Sequence, residues 1–470
     1  MKKTMIYMAM LLMAFGLTYD TASAETTNTR IYTIVVDRFM SGDDGNDINV
    51  TDEKETPLPF GGDFQGIESN LDYIKDMGFN ALMLSPVFDR AEDDYLGYAV
   101  REYGEIEEAF GGPEAFQSLI DAAHERGMDV IVDMPATLAE GYTALDRPIL
   151  NNIQQDYYGM IDAEFIDLSN ADNQKRYKEM AREFTGEYNI DGLSMTVIQD
   201  GIDAKEFLPE DVTTYGISGD DDISLEGFDH AAPNDLQEAL SYGFSKPDRE
   251  TPAYPTDGTL LLADHWFSER FTHNVVEANM FPGTRINQLT TYLYAYQGPI
   301  AFQYGTEIAL NGDEIPIVHR QMDLWTDQEL VDEIAAINEV TQKHPQIYQG
   351  ETEVIKNEDG HFVQRYYTSD VDFVLNINST SVTENVEVPF EGEDESKMLS
   401  GMLIGDLIRG SDMENDAFLA VLDREESELY AIIEETGMNN GYIYVGLLIF
   451  GGFGIFVWLV ARKRRPNERK

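Results

Sequence analysis

Apolar positions recur in one repeated order along the first two thirds of the chain. Ile31–Val36 is a short apolar run closed by the polar pair Asp37-Arg38. Ile67, Leu71 and Ile74 then fall on one helical face, Gly78 stops that helix, and Asn80–Val87 follows as a buried strand. The unit repeats with Phe116, Leu119, Ile120 and Ala123 on a helix, Gly127 as its stop, and the strand Met128–Met134. It repeats again with Tyr177, Met180 and Phe184 on a helix begun after Asp167-Leu-Ser-Asn-Ala-Asp172, before Asp191-Gly192 opens another apolar run. Helix, glycine and apolar strand in succession predict an α/β fold, a parallel sheet covered on both faces and either doubly wound or closed into a barrel. No helix opens on G-x-G-x-x-G, so a dinucleotide-binding fold gains no support.

Past His344-Pro345 the period shortens to alternating runs at Phe362–Tyr367, Val371–Ile377, Val386–Phe390, Ala417–Leu422 and Leu429–Ile433, which predict a C-terminal antiparallel β domain over 347–433. Residues 434–441 read as a linker. Tyr442–Ala461 is uncharged and mostly apolar, about the twenty residues one membrane-spanning helix needs, and the basic tail 462–470 behind it predicts a cytosolic C-terminus. At the other end Lys2, Lys3, the apolar run Met5–Leu17 and Ala22-Ser23-Ala24 predict a signal peptide over 1–24. The expected protein is therefore extracellular over most of its length and anchored in the bilayer through 442–461.

Charge sharpens that picture. Thirty-two basic against 87 acidic residues give a net charge of −55, and most of the bases near the two ends lie outside the folded part. Such a surface repels nucleic acid, stays soluble in salt-rich media and favours divalent cations. With no cysteine in its 470 residues, the chain forms no disulfide.

Several stretches resemble the α-amylase family, glycoside hydrolase family 13. Ile31–Phe39 is similar to its first barrel strand, and Phe165–Asp200 to its fourth, D-G-[FL]-R-[ILV]-D-x-V-K-H after L-P-D-L-N. Gly298-Pro-Ile-Ala-Phe-Gln-Tyr-Gly-Thr-Glu307-Ile resembles P-G-I-P-x-x-Y-G-x-E-I. The resemblance runs from Ile31 to Gln346. It implies a (β/α)8 TIM barrel over 25–346 with a short inserted segment between Ala139 and Glu164, α-glucan as the substrate class, and an active site at the C-terminal ends of the strands.

The family's chemistry is missing from the matching positions. Ser194 stands for the fourth-strand arginine and Thr196 for the nucleophilic aspartate, while the fifth strand, Thr214–Asp220, has Gly219 where the acid belongs. At the seventh strand, expected at Phe271–Val276, His273 takes an aspartate's place and Val275 a histidine's. Ala99, Thr137 and Leu138 replace further polar residues, and of the sugar-facing set Tyr98 remains. Retaining hydrolysis needs two facing carboxylates, and Asp220 and Glu226 are the nearest substitutes for the lost acid. The resemblance also implies a structural calcium held by Asp43, Asn46, Asp47, the Gly61 carbonyl and Asp63. The expected function is a membrane-anchored, non-catalytic relative that binds carbohydrate or protein. An active α-glucan glycosidase with relocated residues stands as the alternative, and an ancillary subunit of a membrane transporter as the third reading. No protein partner is named by the sequence.

Overall fold

The computed structural model describes residues 28–46, 50, 57–92, 94–141, 163–256, 258–326, 328–389, 396–410, 417–435 and 440–463. The expected signal peptide, Asp47, the middle of the inserted segment and most of the basic tail lie outside them.

Seven parallel strands form one sheet. In chain order they are Arg30–Ile34, Ala81–Leu84, Asp129–Asp133, Gly192–Val197, Thr213–Ser218, His230–Ala232 and Ile300–Gln303. The first strand pairs with both the second and the last, so the sheet curls toward closure, and the gap between His230–Ala232 and Ile300–Gln303 is bridged by Leu260-Leu261. Leu260 N–H donates to the Ala231 carbonyl at 2.8 Å, and Leu261 is bridged in parallel to Ile300. Eight parallel positions therefore ring the core, as expected for a (β/α)8 barrel.

The strands are buried on both faces because helices cover the outside, which is why Ala81–Leu84 reads as an unbroken apolar run rather than an alternation. The helix Ala171–Tyr188 shows how one repeat is built. Asn170 caps its N-terminus by accepting from the N–H groups of Asp172 and Asn173, and Asn189 at φ 49° ends it in the left-handed conformation before the fourth strand starts. Its apolar face sets Phe184 against Phe88 and Phe116.

The seventh position corrects the expectation. Phe271–Val276 is no strand but lies in the helix Phe271–Glu277, and the barrel is completed ten residues earlier. Leu260, Leu261 and Leu262 supply the apolar run, which the sequence pattern had not assigned.

The C-terminal unit has a six-stranded antiparallel sheet. Its spatial order is Glu351–Glu358, His361–Tyr367, Phe373–Asn378, Glu426–Glu434, Lys397–Gly401, Leu407–Arg409. Glu384–Pro389 and Ala417–Leu422 form a separate ribbon, and Val363, Val374, Val388, Phe418 and Tyr430 share one small core with it. Tyr366 and Gln288 tie this unit to the barrel through bonds to the carbonyls of Ala295 and Asn378.

Asn440–Lys463 forms a last helix. Its described side chains, 447–460, are apolar and exposed, among them Leu448, Phe450 and Trp458. Among the described residues no helix is long and apolar enough to cross a membrane, so the span expected over 442–461 is not found there.

Candidate functional site

The C-terminal ends of the barrel strands converge on a closed hydrogen-bond network. Asp133, at the end of the third strand, is fully buried. Its carboxylate accepts the Tyr98 hydroxyl at 2.6 Å and the Ser194 hydroxyl at 2.9 Å. Burial pushes its carboxyl up to about 7, and the two hydroxyl donors offset only part of that. The Tyr98 oxygen in turn accepts the Trp266 indole N–H at 2.9 Å and lies 3.3 Å from the Thr196 hydroxyl.

The Ser194 and Thr196 positions thus come together as the resemblance implied, but around an aspartate from the neighbouring strand. Tyr98 does not present a face to a ligand. Its ring is fully buried, with Phe267 packed edge-on at 4.8 Å and Trp266 bonded to its hydroxyl.

His273 is placed elsewhere, half-buried on the helix Phe271–Glu277, so it does not stand at the barrel mouth. The histidine that does is His265. Leu261–Trp266 matches F-x-D-N-H-D only there, with Ala263 and Trp266 where the pattern has aspartates and Asp264 where it has asparagine. The ring Nε2 of His265 lies 3.5 Å from Thr196 Oγ1, while Nδ1 accepts the Phe267 N–H at 3.5 Å. Burial lowers its pKa to about 3, so the ring is neutral.

Neither substitute acid enters this network. Asp220 folds its carboxylate back to accept the Asp222 N–H at 2.9 Å. Glu226 is exposed, and its carbonyl accepts the Ala204 N–H. Gly219 follows the fifth strand without a side chain to offer.

The volume is closed as well. The cavity that touches Thr196 is about 20 Å³, room for roughly one water molecule. A sugar ring cannot enter. The open space lies to one side, where a cleft of about 660 Å³ starts at Ser218, Gly219 and Ala263.

The first loop fits a calcium only in part. Asp63 caps the helix Phe64–Glu68, and its two oxygens accept N–H donors from Gly42, Asp43, Gly66 and the Asn46 amide. Those lone pairs are engaged as a hydrogen-bond acceptor. Asp43 gives one oxygen to the Gly45 N–H, and the buried Asn46 Oδ1 has no partner. Among the described residues no three His, Asp or Glu side chains group as a metal set.

Comparison with known proteins agrees with the barrel and with the C-terminal unit. Residues 31–137 match the α-amylase catalytic-domain family, and 350–430 match the α-amylase C-terminal domain. The intracellular maltogenic amylase of Bacillus subtilis (strain 168) is 26% identical over 310 residues, covering 57% of this chain and 52% of that protein. The α-amylase of Saccharomycopsis fibuligera is 30% identical over 230 residues, covering 42% of this chain and 46% of that protein. The chain spans about half the length of these curated relatives.

Among solved structures, an Anoxybacillus α-amylase superposes with a TM-score of 0.75 at 29% identity, covering 87% of this chain and 99% of the other. The α-amylase of Geobacillus thermoleovorans, solved with acarbose, gives 0.72 at 27% identity over the same shares. With its barrel and C-terminal unit each matched by a part of the same architecture, the chain belongs to the α-amylase family.

Proposed function

We propose that this protein is a non-catalytic α-amylase-family ectodomain that recognises α-glucan or a related carbohydrate and is held at the outer face of a membrane. One observation carries the non-catalytic part: Trp266, Phe267 and Tyr98 fill the barrel mouth in which a sugar would have to sit. Chemistry agrees with volume. Position 196 carries a hydroxyl where retaining hydrolysis uses a carboxylate, and the substitute acid Asp220 folds back onto the Asp222 N–H.

A carbohydrate is the favoured ligand class because the related Geobacillus enzyme is solved with acarbose and the curated relatives are amylases. The membrane anchor is supported by the helix Asn440–Lys463, whose exposed apolar side chains are not tolerated in water as a free surface. A structural calcium in the first loop, using Asp43, Asn46 and Asp47, belongs to the same proposal.

The test is an activity assay of the purified protein on starch, pullulan, maltooligosaccharides and aryl α-glucosides, with Asp220→Asn and Glu226→Gln as controls. No turnover is expected. Turnover abolished by either substitution would identify a relocated acid and establish the glycosidase instead.

A further inference from the structure

The cleft beside the sealed mouth runs between two helices, α1 (Asn234–Ser245) and α2 (Phe271–Glu277), from Gly219 and Ala263 down to Arg249. We infer that this cleft is a binding site for a neutral oligosaccharide. The inference builds on the binding role proposed above and moves that role off the barrel axis.

Its volume, about 660 Å³, lies within the range of small-molecule sites and accommodates a short sugar chain. Gln237 is the informative residue. Its residue is only 7% exposed, and what it exposes faces the cleft that it lines. An amide both donates and accepts, so a ligand that does the same is its natural complement. A sugar hydroxyl does both.

The other walls fit the same chemistry. Asn274 donates its amide to the Ser241 hydroxyl at 3.0 Å, which leaves the Asn274 carbonyl oxygen and the Ser241 proton for a ligand. Glu269 and Glu277 add carboxylates that accept from hydroxyl pairs. Tyr242, 62% exposed, supplies an aromatic platform for the C–H face of a pyranose. Arg249 holds that ring from one side, with its guanidinium 3.9 Å from the ring centre and its N–H groups on the Tyr242 carbonyl and the Ser245 hydroxyl. The remaining ring face is open to solvent.

Charge selects against other ligands. Three glutamates against one arginine repel phosphates and acidic glycans, and Arg249 already occupies the place where a ligand cation would meet the ring. Phe267 is the wall between the two regions, lining the cleft while its edge seals Tyr98.

The experiment is calorimetric titration of the full-length protein with maltotriose, in a detergent without sugar groups, followed by chromatography of the cell contents. Saturable binding is expected, weakened at least about tenfold by Tyr242→Ala and by Gln237→Leu. Tyr242 is exposed, so its substitution leaves the fold intact, and an unchanged melting temperature checks this. Absence of binding, or binding that survives both substitutions, overturns the cleft assignment and leaves the non-catalytic reading standing. Cleavage of the maltotriose overturns that reading and leaves the cleft to be judged by the same two variants.

Discussion

Replacing Asp133 by asparagine tests the sealed network through its protonation. The carboxyl is fully buried and burial raises it from an ordinary value near 3.8 to about 7. A carboxyl raised in the folded state contributes stability that is complete below its unfolded pKa and is lost as pH rises through about 7. A shift of roughly three units corresponds to about 4 kcal/mol between pH 4 and pH 8. Asparagine keeps an acceptor for Tyr98 or Ser194 and never ionises, so Asp133→Asn lacks this loss. Burial also raises Asp37, Asp94, Asp264 and Glu307, but these remain in both proteins and cancel in the comparison. The assay is urea unfolding of wild type and variant at half-unit intervals from pH 4 to pH 8. The two stabilities should converge at the acid end, separate progressively between about pH 4 and pH 7 and run parallel above that, with the variant the more stable. Parallel curves across that range would refute the burial and the protonation state assigned to Asp133.

Three further outcomes follow from the same structure. Trp266→Ala removes a fully buried indole and the donor on Tyr98, and should cost about 3–5 kcal/mol in denaturant unfolding; a loss under 1 kcal/mol would mean the mouth is not filled as described. Glu428 is buried with its carboxylate accepting N–H groups of Met402, Leu403, Ile404, Gly405 and Leu429. Glu428→Gln should therefore cost at least about 3 kcal/mol and speed amide hydrogen exchange over 402–405, whereas unchanged exchange there would exclude the role. After exhaustive chelation, millimolar calcium should raise the melting temperature of wild type but not of Asp47→Ala, and indifference in both would remove the calcium site.

The barrel was legible because its repeats are local: an apolar helical face, a glycine stop and an apolar run each fit within one stretch of sequence. The seventh position was misread because a family pattern was sought where Phe271-Thr-His-Asn offered an aromatic and a histidine. The run Leu260-Leu261-Leu262 ahead of Asp264-His265 carried the real signal, a short buried segment with polar residues at its end. The residues at the fourth and fifth strand ends could be read from the sequence, but the closure of the mouth could not. It depends on Trp266 meeting Tyr98, 168 residues away, and on Phe267 lying across the same ring. Asp63 shows the same limit. Its residue type suits a cation, and only the fold reveals that backbone donors have claimed its oxygens.

The sealed mouth also gives the family history of this chain a direction. An ancestor that lost only its nucleophile could regain it by a single change, but here Thr196→Asp would set a second carboxyl beside a tyrosine already bonded to Asp133, in a space that admits one water molecule. In that setting the new group would stay protonated and unreactive. Under the non-catalytic reading proposed above, a return to hydrolysis would require Trp266 and Phe267 to be vacated first, and either step alone would weaken the core. On that reading the plug would work as a ratchet, because no single substitution both opens the mouth and supplies a reactive carboxylate.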